Sequence, residues 1–355
     1  MHYNSKIANR GVTEMRYGTT ANLSRTLAVA VVAFTVIGFA CAAMAQPAAA
    51  PGPATFTLQL ENDSTRPGSD SYYTSGGRIA YTSAPDHVPA FMANLGDAVL
   101  GPARRRWLGL EVSHTIYTPY FSAGRDTLHN DRPYAAVVMG TVSLIQDVDN
   151  HRTSLGLGLG IIGPAAFGEA VQNGFHNLIN QSELHGWGTQ IPNQPVIQLT
   201  AERTWRLALK AANAGGWEVD VLPSATVGAG TFRIYGQAGA QVRLGQGLAV
   251  DFGVPRIRPG LTGSDAYDSS ADFAWYVFLG ADGQAVAWDE TLDGLPFARS
   301  RNVGRIPLVG ELQGGLAIIS HGWRFTAAHV LQTNEFRGQR NGLFQFSSAS
   351  LSVPF

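Results

Sequence analysis

Residues 154–161 read Ser-Leu-Gly-Leu-Gly-Leu-Gly-Ile, and this pattern is the strongest indication of fold class in the chain. Leucine or isoleucine alternates with a small residue, which is the period of a β-strand with one apolar face. Residues 107–117, 217–227 and 348–355 alternate in the same way. Segments of about ten residues with one apolar face and one polar or glycine face are typical of transmembrane barrels.

The composition excludes several other classes of protein. The 355 residues include 25 Lys and Arg against 26 Asp and Glu, so there is no basic surplus to neutralise a nucleic acid. Hydrophobic residues make up 45% of the chain, which is enough to form a core and argues against disorder. With 41 glycines, a long helical bundle is also disfavoured. A soluble β-sandwich alternates as well and remains the alternative to a barrel.

The N-terminus has the pattern of an export signal. Arg16 and Arg25 precede an uncharged apolar run at 27–40, and an Ala-x-Ala site ends at Ala45. This order defines a secretory signal peptide, and the run is shorter than a spanning helix needs. The single cysteine, Cys41, lies within it, so the exported chain forms no disulfide. The predicted organisation is a signal peptide at 1–45, a Pro/Ala-rich lead-in at 46–54 and an outer-membrane barrel at 55–355.

The alternation predicts an all-β fold, a transmembrane antiparallel barrel of about twelve strands. The predicted strands are 55–61, 73–83, 107–117, 134–146, 152–162, 195–208, 217–229, 231–244, 272–288, 305–319, 321–333 and 342–355. An even count places both termini at one rim, which in bacterial barrels faces the periplasm. The long turn at 84–106 is expected to carry a short helix near 88–100.

Aromatic residues refine this interpretation. Phe344 and Phe346 break the parity of the last strand, so we expect a bulge or register change there. A set of tryptophans falls at the predicted periplasmic strand ends and predicts an aromatic girdle at the membrane interface. These tryptophans are Trp107, Trp205, Trp217, Trp275 and Trp323.

Polar clusters distant in sequence are expected to meet at the extracellular rim. They are Asn62-Asp63, Tyr73-Thr74, residues 117–119, residues 131–134 and the loop 163–195. Loops on a rigid scaffold are where sites are usually assembled. The loop 163–195 is too long for a simple connection.

A short helix is predicted within this loop, at 168–180, over or inside the barrel mouth. Its polar stripe comprises Glu169, Gln172, Asn173, His176 and Asn180. Such a stripe is also the ordinary solvated face of a helix. His176 is the member of the stripe that exchanges a proton near neutral pH, which makes it a candidate catalytic residue.

Other catalytic signatures are absent from the sequence. There is no Gly-x-Ser-x-Gly elbow and no Cys/His spacing of a zinc site. Asn62 and Asp63, with nearby carbonyl oxygens and water, would suit a hard cation such as Ca²⁺. An Asn-Asp pair is equally a common turn signal.

Several of these motifs, in this order, resemble the outer-membrane lipid A 3′-O-deacylase family. The resemblance covers roughly residues 55–210. The matching strings are Glu61-Asn62-Asp63, 70–76, 117–119, 131–135, 162–164, 168–173 with His176, and Gly186-Trp187 with Gln190. The second half of the chain matches only as barrel strands.

The resemblance implies a Ca²⁺-dependent hydrolase that removes the 3′-linked acyloxyacyl chain of lipid A. It implies lipopolysaccharide in the outer membrane as the partner, with the site toward the extracellular leaflet, and we expect a monomer. The family's functional residues correspond by motif to Asn62, Asp63, Thr74 and His176, the first three also as metal ligands. Glu183 lies one residue away from the acidic position that follows the histidine in the family, so the resemblance assigns it no role.

Two classes of function follow. In the first, His176 is the general base for a water, and Ca²⁺ near Asn62, Asp63 and Thr74 stabilises the oxyanion. Within this class, Thr74 or Ser75 could instead be the nucleophile. In the second, the chain is a non-catalytic pore or lipid-binding barrel.

Geometry separates the two classes. A pore needs an open lumen, whereas an enzyme needs the helix packed against the candidate residues. Strand parity predicts that Thr74 points inward with Gly76 and Arg78. Asn62 has the lipid-facing parity unless its strand ends at Glu61, and the sequence leaves both possibilities open.

Overall fold

The structure, a computed structural model, describes residues 52–63, 71–120, 130–210, 216–257, 264–340 and 342–355. The predicted signal peptide at 1–45 and most of the lead-in at 46–54 lie outside these residues. The described strands form one antiparallel sheet that closes on itself. They are β1 (Thr55–Asn62), β2 (Tyr72–Thr82), β3 (Arg105–Thr118), β4 (Ala135–Val148), β5 (His151–Ile162), β6 (Gln194–Trp205), β7 (Leu207–Lys210), β8 (Glu218–Gly230), β9 (Arg233–Gln246), β10 (Phe273–Asp289), β11 (Leu308–Ser320), β12 (Trp323–Gln332) and β13 (Phe344–Pro354).

The predicted twelve-stranded barrel is confirmed, with one strand interrupted. β6 and β7 are two parts of the strand predicted at 195–208, separated at Arg206, and β8 pairs with both. The pairings of β6 with β8 and of β1 with β13 close the ring. Each predicted strand boundary lies within three residues of the observed one.

The part of the chain that the structure describes contains three α-helices, which lie at the two rims. We call the rim where β1 begins and β13 ends the terminal rim, and the opposite one the distal rim. Helix α1 (Ala90–Leu100) joins β2 to β3 at the terminal rim, as predicted for 88–100. At the distal rim, α2 (Gly168–Leu178) lies between β5 and β6, and α3 (Glu290–Asp293) follows β10. No helix among the described residues has the length and apolar character needed to cross a membrane.

The alternation in β3 shows which face is which. Glu111, Ser113 and Thr115 point inward and line a lumen cavity of about 250 Å³. Leu110 and Val112, which alternate with them, are exposed on the outer surface. The barrel therefore has an apolar outer band and a polar interior, as expected for strands in a bilayer.

The prediction of a bulge or register change in the last strand is wrong. β13 pairs with β1 and β12 without a register shift, and Phe344 and Phe346 lie on its inward face with the serines that follow. Apolar side chains take the inward positions at this end of β13 because they belong to an apolar cluster in the barrel mouth at the distal rim. Phe346 packs edge-on against Tyr73 there, with ring centroids 5.1 Å apart.

The predicted aromatic girdle is wrong for Trp107. Trp107 is buried inside the barrel, where the Arg152 guanidinium lies 5.0 Å from its ring centroid. Trp217 and Trp275 are at the terminal rim and pack edge-to-face, with centroids 5.2 Å apart. Trp323 is exposed at the same rim.

The segment between β9 and β10 folds into the lumen, which the sequence pattern did not predict. We call residues 247–257 and 264–272 the plug. Its Asp265 carboxylate pairs with Arg78 at 2.7 Å, and its Ile257 N–H donates to Glu61 Oε1 at 3.1 Å. Asp251 pairs with Arg243 at 2.6 Å. Because buried charges require partners, these ion pairs bind the plug to the inner wall.

Candidate functional site

Helix α2 and its flanking loop pack against the outside of the barrel wall. Trp187 packs on Tyr134 with ring centroids 4.8 Å apart, and His114 Nε2 hydrogen-bonds the Ala166 carbonyl at 2.8 Å. The apolar contact consists of Ile116, Tyr134, Ala136, Ala166, Leu184 and Trp187. Ile116 shares the outward face of β3 with Val112. The short helix predicted at 168–180 is therefore confirmed at the barrel rim, but it packs on the outer side of the wall and not over or inside the mouth.

Glycine at two positions allows this close packing. A Cβ on Gly168, the first residue of α2, would lie 2.5 Å from Ala136 Cβ and 2.6 Å from the Trp187 ring. A Cβ on Gly186 would collide with the Tyr134 ring. Both glycines permit the loop to approach the wall more closely than any other residue would.

The polarity of α2 is inverted relative to a helix on a soluble protein. Gln172 and His176 are buried toward the wall. Phe167, at its N-cap, and the helical Val171, Phe175 and Leu178 are exposed. A helix with this distribution suits an apolar environment on its outer side and a polar site on its inner side.

Hydrogen bonds fix the protonation pattern of His176. Its Nδ1 lies 2.6 Å from the Ser182 carbonyl, which can only accept, so Nδ1 carries the proton. Nε2 lies 2.8 Å from Gln172 Nε2, which donates to it. In this neutral imidazole the Nε2 lone pair accepts from Gln172, and Nε2 is the nitrogen that a general base would use once the amide turns aside.

Asn62, Asp63 and Thr74 come together at the distal end of β1 and β2. The Thr74 carbonyl accepts from Asn62 Nδ2 at 3.1 Å and from the Asp63 N–H at 3.2 Å. Asp63 Oδ2 accepts from the Ser71 N–H at 2.8 Å. The two ends of the connection between β1 and β2 are thus tied together beside Thr74.

A bulge changes the face on which Thr74 lies. The register between β2 and β3 shifts between Tyr73 and Ser75, so Tyr73 pairs with Tyr117 and Ser75 with the outward Ile116. Tyr73 takes the inward place, and Thr74 Oγ1 hydrogen-bonds Thr118 Oγ1 at 2.7 Å. Thr118 has the same parity as Ile116. The prediction that Thr74 points inward is therefore wrong, because a bulge inserts one residue into the alternation.

The position of Asn62 is also settled. β1 extends to Asn62, which pairs with Ser75, so Asn62 has the outward parity. Asn62, Thr74 and helix α2, which the sequence motifs indicated, therefore all lie on the outer wall at the distal rim. The helix contacts β3 and β4 of this wall.

Oxygen atoms dominate the donor set. Asp63 supplies a carboxylate, Asn62 an amide oxygen, and Thr74 and Thr118 hydroxyl oxygens. Among the described residues, no group of three or more His, Cys, Asp or Glu side chains could hold a metal ion. A cation here would rely on one carboxylate and neutral oxygens, a ligand type that suits Ca²⁺ rather than Zn²⁺.

Hydrogen bonds join three of the four predicted site residues directly, through the Thr74 carbonyl. His176 is positioned by its own loop, where Gln172 and Ser182 hold its ring. Sequence reasoning missed the contact between Thr118 and Thr74, although Thr118 belongs to the quoted motif at 117–119. Glu183 is exposed and accepts from Asn177 Nδ2 at 2.9 Å, so it does not turn toward His176.

A closed barrel with an apolar outer band and a polar interior defines an outer-membrane β-barrel protein. Residues 29–355 match the family described as outer membrane protein LpxR, so the chain belongs to this family. The family membership and the outer-membrane location expected from the motifs are thereby confirmed.

Solved structures of similar fold include LpxR from Salmonella typhimurium. It is 21% identical, with a TM-score of 0.69, and the match covers 85% of this chain and 100% of that one. The β domain of the Bordetella autotransporter BrkA is 12% identical, with a TM-score of 0.39, covering 86% of this chain and 99% of that one. No curated protein matches the chain.

Proposed function

We propose that this protein is a hydrolase of the lipid A 3′-O-deacylase type that works in the outer leaflet of the outer membrane. The site lies at the distal rim, which the proposal assigns to the extracellular side. The observation that carries the proposal is the inverted helix α2. It turns His176 and Gln172 toward the barrel wall and its apolar side chains toward the surroundings.

This arrangement fits a substrate that is itself a membrane lipid. The wall beneath α2 continues into the exposed apolar band of β3, so an acyl chain would reach the site from the bilayer without leaving it. A site in the lumen would require the whole lipid to enter the barrel. Family membership supports lipid A as the lipid.

The residues support ester hydrolysis by water. In the proposed step the Gln172 amide turns away from His176 Nε2. This nitrogen then accepts a proton from the water as the oxygen of the water bonds to the ester carbonyl carbon. The bond between that carbon and the sugar oxygen then breaks, and the imidazolium returns the proton to the sugar oxygen. The products are a free fatty acid and a sugar hydroxyl. Ser182 holds the ring in the tautomer that this step needs.

The donor set at Asn62, Asp63, Thr74 and Thr118 fits Ca²⁺, since it offers oxygen atoms and includes a carboxylate. Bound there, the ion would stabilise negative charge on the ester oxygen as the tetrahedral intermediate forms. The Thr74 carbonyl accepts from the Asn62 side chain and from the Asp63 backbone N–H, which anchors both residues beside Thr74 whether or not a cation is bound.

The plug argues against the pore alternative. Residues 247–257 and 264–272 fill part of the lumen, and the ion pairs of Asp265 with Arg78 and of Asp251 with Arg243 fasten them.

Mass spectrometry of lipid A from cells that express the protein tests the proposal. We expect wild-type protein to remove the 3′-linked chains when Ca²⁺ is present, and Asp63→Ala to remove none. Asp86→Ala, at the terminal rim, is the matched control and should act like wild type. Full deacylation by folded Asp63→Ala after chelation would remove the metal from the mechanism, and intact lipid A with wild type would refute the hydrolase.

A further inference from the structure

We propose that α1 is an interfacial helix that inserts one flank into the bilayer around the terminal rim, with phospholipid as its partner. The proposal is independent of the hydrolase, because α1 lies at the rim opposite the site. It rests on the distribution of side chains around the helix and on the barrel surface that the helix continues.

One face of α1 packs on the outside of the barrel. Gly96 is buried, and a Cβ there would lie 2.9 Å from Leu144 Cδ2, on the outward face of β4. Gln146, two residues further along β4, donates to the Gly101 carbonyl at 2.7 Å just after the helix. Asp97 pairs with Arg106 of β3. The helix is therefore held on the wall with a fixed rotation about its axis.

A second flank of α1 is apolar and exposed. Phe91, Leu95 and Val99 are 71%, 55% and 60% exposed, although each is a large hydrophobic side chain. Their spacing of four residues places them on one stripe. The polar residues Asn94 and Asp97 lie on the other exposed flank, about 100° or more from Leu95 at 100° per residue. The helix thus has one side for protein, one for apolar surroundings and one for water.

The apolar flank continues a surface that already faces lipid. Leu110 and Val112 of β3 and Val142 of β4 are exposed on the outer wall beside the strand ends that α1 covers. Scattered exposed hydrophobic residues need no partner, but an aligned stripe adjoining a membrane band does. Acyl chains of the same bilayer are therefore its natural partner.

An arginine marks the expected headgroup level. Arg104 is exposed between α1 and β3. Guanidinium groups on long side chains reach from apolar surface to polar surroundings and bind phosphate. Phospholipid phosphates at the terminal rim provide such a partner.

Fluorescence depth measurements test the proposal. Leu95→Cys and Asn94→Cys, each in a Cys41→Ser background, carry a polarity-sensitive fluorophore on the full barrel. The labelled proteins are reconstituted in vesicles of phosphatidylethanolamine and phosphatidylglycerol with nitroxide on the acyl chains. We expect the Leu95 label to lose most of its emission to the nitroxide and to resist iodide, and the Asn94 label to do the reverse.

Further variants keep the result decisive. Phe91→Cys, on the same flank, should behave like Leu95→Cys even if one label disturbs the helix. An Arg104→Cys label should be quenched more by nitroxide on the headgroup than on the acyl chain. Iodide access at Leu95 and Phe91 equal to that at Asn94 would overturn the proposal. Protection that disappears when the protein is diluted with excess lipid would also overturn it, since a second copy would then be the partner.

Discussion

Helices α1 and α2 lie on the outside of the same barrel, against β4 at opposite rims, and both expose apolar side chains. They differ in what they bury. α1 turns a glycine, Gly96, toward an apolar side chain of the wall, whereas α2 turns the polar side chains of Gln172 and His176 toward the wall. An external helix can thus serve only to cover the wall, or it can form a site with the wall. The side chains that it buries distinguish these two roles.

The strongest test of this contrast is the substitution of His176. His176→Gln should lower deacylation by about 10²–10⁴-fold, because Gln cannot accept and return a proton. His185→Gln changes an exposed histidine of the same loop and should retain wild-type turnover. The measurement is the fraction of lipid A lacking 3′-linked chains at equal amounts of folded barrel. Near-wild-type conversion by His176→Gln would mean that α2, like α1, is only structural.

Thr74 separates attack by water from attack by a side chain. Thr74→Val leaves the Thr118 hydroxyl without this partner, a loss worth about 1–3 kcal/mol, so we expect a several-fold to hundred-fold fall in turnover. Thr74→Ser keeps the hydroxyl and should stay near wild type. Ser75→Ala should do the same.

A labelled substrate analogue checks the nucleophile directly. If Ser75→Ala abolished turnover, or an acyl group became attached to Thr74 or Ser75, the water mechanism would be wrong. Trapping with hydroxylamine and peptide mass spectrometry would locate such a group.

Crowding the start of α2 should have a smaller effect. Gly168→Val places side-chain atoms against Ala136 and Trp187, and overpacking of this kind costs about 1–3 kcal/mol. We expect the loop to shift, turnover to fall and the barrel to keep its unfolding temperature. Protease sensitivity of the loop and heat-modifiable migration on gels report the two separately. Unchanged turnover would show that α2 does not need its close fit to the wall.

The equivalent change on α1 should have the smallest effect. In Gly96→Ala the new Cβ meets the ends of the Leu144 and Gln146 side chains, which can move. Helix propensity favours Ala over Gly by about 1 kcal/mol, so the net change in stability should be within about 1 kcal/mol. Turnover should equal wild type, as measured by the same lipid A assay. A large loss would show that α1 is coupled to the site across the length of the barrel.

The strands were predictable because alternation is local and repeats along the whole barrel. The faces of Trp107 and Phe346 were not, because a strand at a rim can meet the plug or an apolar cluster instead of lipid. The plug itself has no periodic pattern, so its position depends on ion pairs such as that of Asp265 with Arg78, which no local signal reveals.

The site was predictable in composition but not in location. The polar stripe on α2 was visible in the sequence, and motif resemblance selected His176 from it. Its direction was not visible, because lipid outside the barrel reverses the usual rule that the polar side of a helix faces outward. Thr74 was placed on the wrong face since one bulged residue exchanges the two faces of β2 beyond that point.

That bulge shows how a barrel can gain external chemistry with very little change. Inserting or deleting one residue near Thr74 moves a hydroxyl between the interior and the membrane side, while the strand number and the remaining pairs stay as they are. A lineage, or a protein engineer, could therefore convert an interior-facing polar residue into a lipid-facing one by an indel of a single codon. The rest of the wall would need no redesign.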